Sequence, residues 1–308
     1  MEEGSLPPHL SVLALLTVLA IGSAVAPPGA LTSYTFVSPA LHIVLPARLN
    51  EVSGITSLSD TELACVQDEE GVVFVYDLAL RRITRQVPFG PPGDYEGIAR
   101  AGSRLFVLRS DGLVFEIQGV SGTPAVRLHR LRLPAADNEG LCYDELHDRL
   151  LIAPKSGLDK GKPLRDSWAV FGFDLKAGIF EQKPTLLVGV DAIRACVAQQ
   201  ARDGRPRQAT KGGGSQPPPR FQPSAIAVHP LTSEIFVVSA VDRVLVTFDG
   251  AGSVTGCVTL DPKLFRQPEG LAFLSNGDMV ITNEAAGRQP TLLVFKPSGT
   301  RGRGGSDN

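Results

Sequence analysis

Five stretches of the chain are variants of one phrase: RLNEVSGIT (48–56), PGDYEGIAR (92–100), AADNEGLCY (135–143), RFQPSAIAV (220–228) and FRQPEGLAF (265–273). In each, polar or proline-bearing residues lead through Glu or Ser and a small residue into an apolar run. Glu51, Glu96 and Glu139 are 45 and 43 residues apart, and Ser224 and Glu269 are 45 apart; the interval from Glu139 to Ser224 is 85. A period of this length marks a repeated supersecondary unit that cannot bury its own faces and must stack on its neighbours.

Each unit holds three further strand-like runs separated by turn residues. They are Thr61–Val66, Gly71–Asp77 and Arg82–Phe89 in the first; Arg104–Leu108, Leu113–Ile117 and Val126–Leu133 in the second; Arg149–Ala153, Trp168–Asp174 and Thr185–Val188 in the third; and Glu234–Val238, Arg243–Phe248 and Val254–Leu260 in the fourth. Four strands in about 45 residues match one blade of a β-propeller. The last unit lacks a fourth strand after Thr291–Lys296, yet Leu41–Leu45 stands where other units place theirs: Leu45 lies 6 residues before Glu51, as Leu133 lies 6 before Glu139. These spacings predict an all-β chain, a five-bladed β-propeller whose last blade is closed by an N-terminal strand, which removes an aggregation-prone edge. An open stack of repeats is the alternative.

On this reading residues 32–297 form the propeller. The long interval is taken up by a loop at 156–167, a short helix over Val190–Gln200 capped by Asp191, and a polar, Gly/Pro-rich stretch, so that 189–220 is a helical or disordered insertion. That stretch carries Arg202, Arg205, Arg207, Lys211 and Arg220 against Asp203, which suits a solvated insertion or an arm for an anionic surface. Residues 298–308 read as a disordered tail. Leu10–Ala26 is an uncharged run of seventeen residues, short of the roughly 20 a membrane-spanning helix needs. Residues 1–26 therefore read as a signal peptide or membrane anchor, placing the protein in the periplasm, cell envelope or medium. The leader has no Lys or Arg and Pro27 follows Ala26, so a cytoplasmic chain stays open as the alternative. Thirty basic and 32 acidic residues give a net charge of −2, which argues against a nucleic-acid surface. Cys65, Cys142, Cys196 and Cys257 show no CxxC spacing and read as buried thiols, with a disulfide through Cys196 as the exception in an exported chain.

The first strand of each propeller blade lines the axis. Glu51, Glu96, Glu139 and Glu269, with Ser224 in the remaining place, thus form a ring at one mouth of the channel. Crowded carboxylates must take up protons, basic partners or a cation, and oxygen-only ligation is the pattern for Ca²⁺ or Mg²⁺. The alternative is a structural clasp repeated in every blade. A second series at the ends of the second strands, Asp68, Arg109, Lys155, Ser239 and Asn283, varies in charge as a ligand pocket does, with Glu69 and Glu284 beside it. Arg109 and Lys155 would pair with the ring carboxylates or receive an anionic ligand. There is no G-x-S-x-G, H-E-x-x-H or P-loop, so no nucleophile stands out.

The phrases LNEVSGI, VQDEEGVVFVYDL, GDYEGIA, LFVLRSDG, NEGLCYD, PSAIAVHP and QPEGLAFLSNGDMVITNE resemble the SdiA-regulated, YjiK-like family of bacterial proteins, over roughly residues 41–296. The resemblance implies a five-bladed propeller behind a signal or anchor segment, in a family without an assigned biochemical activity. It carries over Glu51, Asp68, Glu69, Glu96, Arg109, Glu139, Lys155, Glu269, Asn283 and Glu284; the insertion and the non-basic leader depart from it. The functional expectation is a monomeric exported propeller that binds a cation, Ca²⁺ first, or an anionic small molecule at its axial mouth. The alternatives are a metal-dependent hydrolase of ester, lactone or phosphoester substrates and a protein-interaction scaffold.

Overall fold

The computed structural model describes Met1 and residues 29–119, 122–155, 167–202 and 220–298. The expected leader, the tail, the 156–166 loop and most of the Arg-rich stretch lie outside them. After β1 (Leu41–Val44), blade 1 comprises β2 (Val52–Ser57), β3 (Glu62–Gln67), β4 (Val72–Asp77) and β5 (Arg82–Pro88). Blade 2 is β6 (Tyr95–Ala101), β7 (Arg104–Arg109), β8 (Leu113–Gln118) and β9 (Ala125–Arg130). Blade 3 is β10 (Asn138–Asp144), β11 (Arg149–Pro154) and β12 (Ser167–Asp174), with an outer strand split into β13 (Ile179–Phe180) and β14 (Leu186–Gly189). Helix α1 (Val190–Arg202) precedes blade 4, which is β15 (Pro223–Val228), β16 (Ile235–Ser239), β17 (Val244–Phe248) and β18 (Val254–Thr259). Blade 5 is β19 (Pro268–Phe273), β20 (Met279–Asn283), β21 (Thr291–Phe295) and the returning β1.

All sheets are antiparallel, and the innermost strands meet in the closed order β2, β6, β10, β15, β19 and β2 again. The five-bladed propeller with N-terminal closure is thus the fold. Middle strands are sandwiched between blades and read as continuous apolar runs, such as IFVVS and TLLVF, all buried. Outer strands face water on one side, so β9 and β18 are mostly exposed or half-exposed. Glycine in the innermost strands permits the tight ring: a Cβ on Gly97 would stand 2.9 Å from the Leu141 backbone nitrogen of the next blade, and one on Gly54 would stand 2.9 Å from the Gly97 Cα.

β1 pairs with β21 from Leu41↔Val294 to Val44↔Thr291. The segment before it is anchored by buried Leu31 and Tyr34. The Tyr34 hydroxyl donates to the Gly277 carbonyl (2.5 Å) and lies 2.9 Å from His229 Nε2. His229 Nδ1 accepts the Leu231 and Thr232 N–H groups, so Nε2 carries the proton toward Tyr34. Helix α1 lies against β18, where Cys196 and Cys257 form a disulfide while Cys65 and Cys142 stay buried and free. The disulfide runs through Cys196, the exception the sequence allowed, and Cys65 and Cys142 are the buried thiols it expected. No helix among the described residues is long and apolar enough to cross a membrane.

Candidate functional site

Every innermost strand carries a β-bulge at the same place. The pairing jumps from Val52↔Gln67 to Gly54↔Val66, from Tyr95↔Arg109 to Gly97↔Leu108, from Asn138↔Pro154 to Gly140↔Ala153, from Pro223↔Ser239 to Ala225↔Val238 and from Pro268↔Asn283 to Gly270↔Thr282. The unpaired residues are Ser53, Glu96, Glu139, Ser224 and Glu269. A bulge at the rim of a channel re-aims one side chain per strand. In blade 1 the ring position therefore belongs to Ser53, and Glu51 lies two residues upstream, level with Asp94, Asp137, Gln222 and Gln267. Backbone hydrogen bonds fix that level: the N–H groups of Asp68, Ser110, Lys155 and Glu284 donate to the carbonyls of Glu51, Asp94, Asp137 and Gln267. The serines are clasps between blades, Ser53 Oγ donating to Tyr95 O (2.5 Å) and Ser224 Oγ to Pro268 O (2.7 Å).

The second series divides in the same way. Gln67, Arg109, Pro154, Ser239 and Asn283 share one register position, and Asp68, Ser110, Lys155, Ala240 and Glu284 occupy the next. Arg109 is turned to Asp111, with Nε and Nη2 at 2.9 and 2.8 Å from its two oxygens. Buried Ser239 donates to Asp242 (2.8 Å), and buried Asn283 donates to Thr291 Oγ1 (3.0 Å) and Leu264 O (3.2 Å). These three hold turns. Asp68, Lys155 and Glu284 instead join the glutamates in one electrostatic cluster.

Lys155 Nζ sits 2.5 Å from Oε1 of Glu139, whose side chain is 5% exposed. Burial raises the Glu139 carboxyl, and Lys155 offsets part of the rise. Burial opposes the charge on Lys155 in turn, but Glu139, Asp137 and Glu269 outweigh it and raise the ammonium pKa. Glu96 is pushed up to about 9 by burial, the charge of Glu139 and a hydrogen bond with Asp94. Glu269 rises to about 8 through burial and the charges of Glu139 and Glu284. On the other side, burial and a hydrogen bond shared with Glu51 take Glu284 to about 7, with Asp68 adding its field. Glu284 also accepts a hydrogen bond from Gln267. Asp68 reaches about 6 through burial and the charges of Glu51, Glu69 and Asp94, and its Oδ1 is buried without a hydrogen-bond partner. Exposed Glu69 takes part only through its field.

The mouth is thus acidic in blades 1, 2, 3 and 5 and neutral in blade 4, which supplies Gln222, Ser224, Ser239 and Ala240. Asp94 and Asp137 were not among the residues picked from sequence; their signal was the acidic residue two places ahead of Glu96 and Glu139. The donor set is all oxygen, which suits a hard cation such as Ca²⁺. Among the described residues, no three His, Cys, Asp or Glu side chains already stand in the geometry of a metal centre.

No family model and no curated protein matches the chain. Solved structures do match it. Glutaminyl cyclase of Myxococcus xanthus aligns with a TM-score of 0.55 at 14% identity, covering 85% of this chain and 96% of that one. A luciferin-regenerating enzyme aligns at 0.51 and 11%, with the same coverage of 85% and 96%. A chain of a nidogen/laminin complex aligns at 0.45 and 12%, over 75% and 72%. At such identities the likeness to the glutaminyl cyclase and the luciferin-regenerating enzyme shows the fold alone. The class defined by fold and site together is a five-bladed propeller with an acidic axial mouth.

Proposed function

We propose that the protein is an exported propeller of the SdiA-regulated, YjiK-like kind whose acidic mouth binds a divalent cation, Ca²⁺, on the side formed by Glu51, Asp68 and Glu284. The observation that carries this reading is the uneven neutralisation of the mouth. Lys155 compensates Glu139 directly. Glu51, Asp68 and Glu284 have no cation in contact among the described residues; two of them share a hydrogen bond, and Asp68 keeps an unpartnered oxygen. Carboxyls held in that state gain most from a bound cation. Arg109 and Lys155 are each bonded to a carboxylate, which favours the cation over the anionic small molecule as the ligand of this mouth. The Cys196–Cys257 disulfide and the apolar leader support export, since structural disulfides belong to oxidising compartments.

Calorimetric titration with CaCl₂ and with MgCl₂ tests the proposal. One Ca²⁺ should bind per chain, with Asp68→Asn and Glu284→Gln each abolishing the heat; a parent protein that takes up neither ion would falsify it. One observation favours a second reading, metal-assisted hydrolysis: Asp68, Glu284 and Glu269 titrate at about 6, 7 and 8, where general acids and bases work near neutral pH. Turnover of an ester, lactone or phosphoester that disappears in Asp68→Asn decides for it, and silence across such a panel leaves binding alone.

A further inference from the structure

The other end of the channel is built differently. A cavity of about 380 Å³ opens between the downstream halves of all five innermost strands, and none of the acidic-mouth residues lines it. Two residues past each bulge its wall carries Ile55, Ile98, Leu141, Ile226 and Leu271, a closed band of branched aliphatic side chains, all five buried. Four residues past each bulge stand Ser57, Arg100, Tyr143, Val228 and Phe273. The inner position is constant in type, as packing demands, while the outer one differs in every blade. A rim that varies over a uniform apolar floor has the composition of a small-molecule site, and the volume lies in the range such sites occupy.

The polar groups narrow the ligand. Of those in the lining, Asp144 is taken by His147 (2.7 Å) and Arg149 (2.9 Å), and His229 by Tyr34 and its own turn. Arg100 is held at the rim by two backbone carbonyls, Nε on Gly102 O (2.8 Å) and Nη1 on Leu58 O (2.6 Å). Its Nη2 has no partner among the described residues. A guanidinium fixed by two of its nitrogens and open at the third is pre-organised for a carboxylate. Exposed Glu145 on the blade 3 side of the same rim opposes a second negative charge.

We propose that this mouth is a second binding site, independent of the acidic one, for a small amphiphilic acid: the apolar body enters the aliphatic funnel and one carboxylate meets Arg100. The probe is 1-anilinonaphthalene-8-sulfonate, titrated by fluorescence into the full chain and displaced with octanoate. Saturable binding at one site, displaced by octanoate, is the expected result. Arg100→Glu should weaken it about tenfold or more, and Ser57→Trp should do the same by filling the entrance without touching the guanidinium. Arg82→Glu, the same charge change on an exposed outer strand, should keep the parent affinity. Circular dichroism confirms that each variant is folded. Absence of saturable binding, failure of octanoate to compete, or equal weakening by Arg100→Glu and Arg82→Glu would overturn the proposal.

Discussion

Lys155 is the cation whose field lowers Glu96, Glu269 and Glu284 alike while its ammonium is bonded to Glu139. Glu139 is buried while Lys155 is 41% exposed, so removing the lysine leaves a buried carboxylate uncompensated. The cost stays below that of a fully buried pair because solvent screens the exposed partner. In Lys155→Met the Glu139 carboxyl, already raised by burial, rises further. A carboxyl whose folded pKa lies above its unfolded one stabilises the fold at low pH and loses that contribution as pH climbs. The variant should therefore lose about 2 kcal/mol at pH 8 and clearly less at pH 5, as read from urea unfolding at both. An equal loss at the two pH values would mean that Lys155 acts through packing alone. The same site shows what sequence can locate and what it cannot. Glu96, Glu139 and Glu269 were legible because the phrase puts each directly before the glycine that the inter-blade approach demands. Glu51 was placed two residues off, since NEVSG and DYEG look alike when aligned on their acidic residue. Aligned on Gly54, Gly97 and Gly140, the interval is 43 residues both times and Ser53 falls on the bulge. Arg109 was assigned to the mouth from its register alone, and Asp111, two residues on in the β7–β8 turn, takes its guanidinium instead.

At the level of elements, β1 and the Cys196–Cys257 link are the two places where the ring is fastened. β21 is buried along its whole length, and β1 supplies its outer hydrogen-bond partner. A chain beginning at residue 46 would expose that edge together with the hollow left by Leu31 and Tyr34. It should aggregate or fail to fold, visible as loss of the monomer peak in size exclusion; a folded monomer from that truncation would contradict the closure. The disulfide joins residues 61 apart across the junction of blades 3 and 4. Loop-closure entropy for that span comes to about 4 kcal/mol, so Cys196→Ser with Cys257→Ser should lower the melting temperature by several degrees while leaving the β-rich circular dichroism intact. Elements in this chain were legible where burial on both faces makes the run continuous. β13 was missed because it is only two residues long. β12 is long enough to pair with β13 at Phe173↔Phe180 and with β14 at Trp168↔Val188, and nothing in the local pattern announces that split.

Over the whole molecule the near-zero net charge conceals a concentration of carboxyls at one end of the channel, and this makes protons and cations compete for the same groups. Asp68, Glu284, Glu269 and Glu96 have folded pKa values of about 6, 7, 8 and 9, all above the ordinary carboxyl range. Between roughly pH 4.5 and 9 the unfolded chain has released these protons and the folded one still holds them, so stability falls as pH rises across that window. The opposite sign comes from Asp111, lowered by its hydrogen bond from Arg109, and Glu116, lowered against its burial by His129 and Arg104. Their contribution is present above the unfolded carboxyl range and disappears as pH drops through their folded values. Without divalent cations the melting temperature should thus peak near the unfolded carboxyl range, about pH 4 to 4.5, and decline toward pH 9. A divalent cation bound at Glu51, Asp68 and Glu284 takes over the role of the protons there, and it does so most where they have been lost. CaCl₂ should accordingly raise the melting temperature by several degrees at pH 8.5 and hardly at all at pH 5.5, and Glu284→Gln should remove the difference. A Ca²⁺ effect of the same size at both pH values would place the ion somewhere other than among these carboxyls.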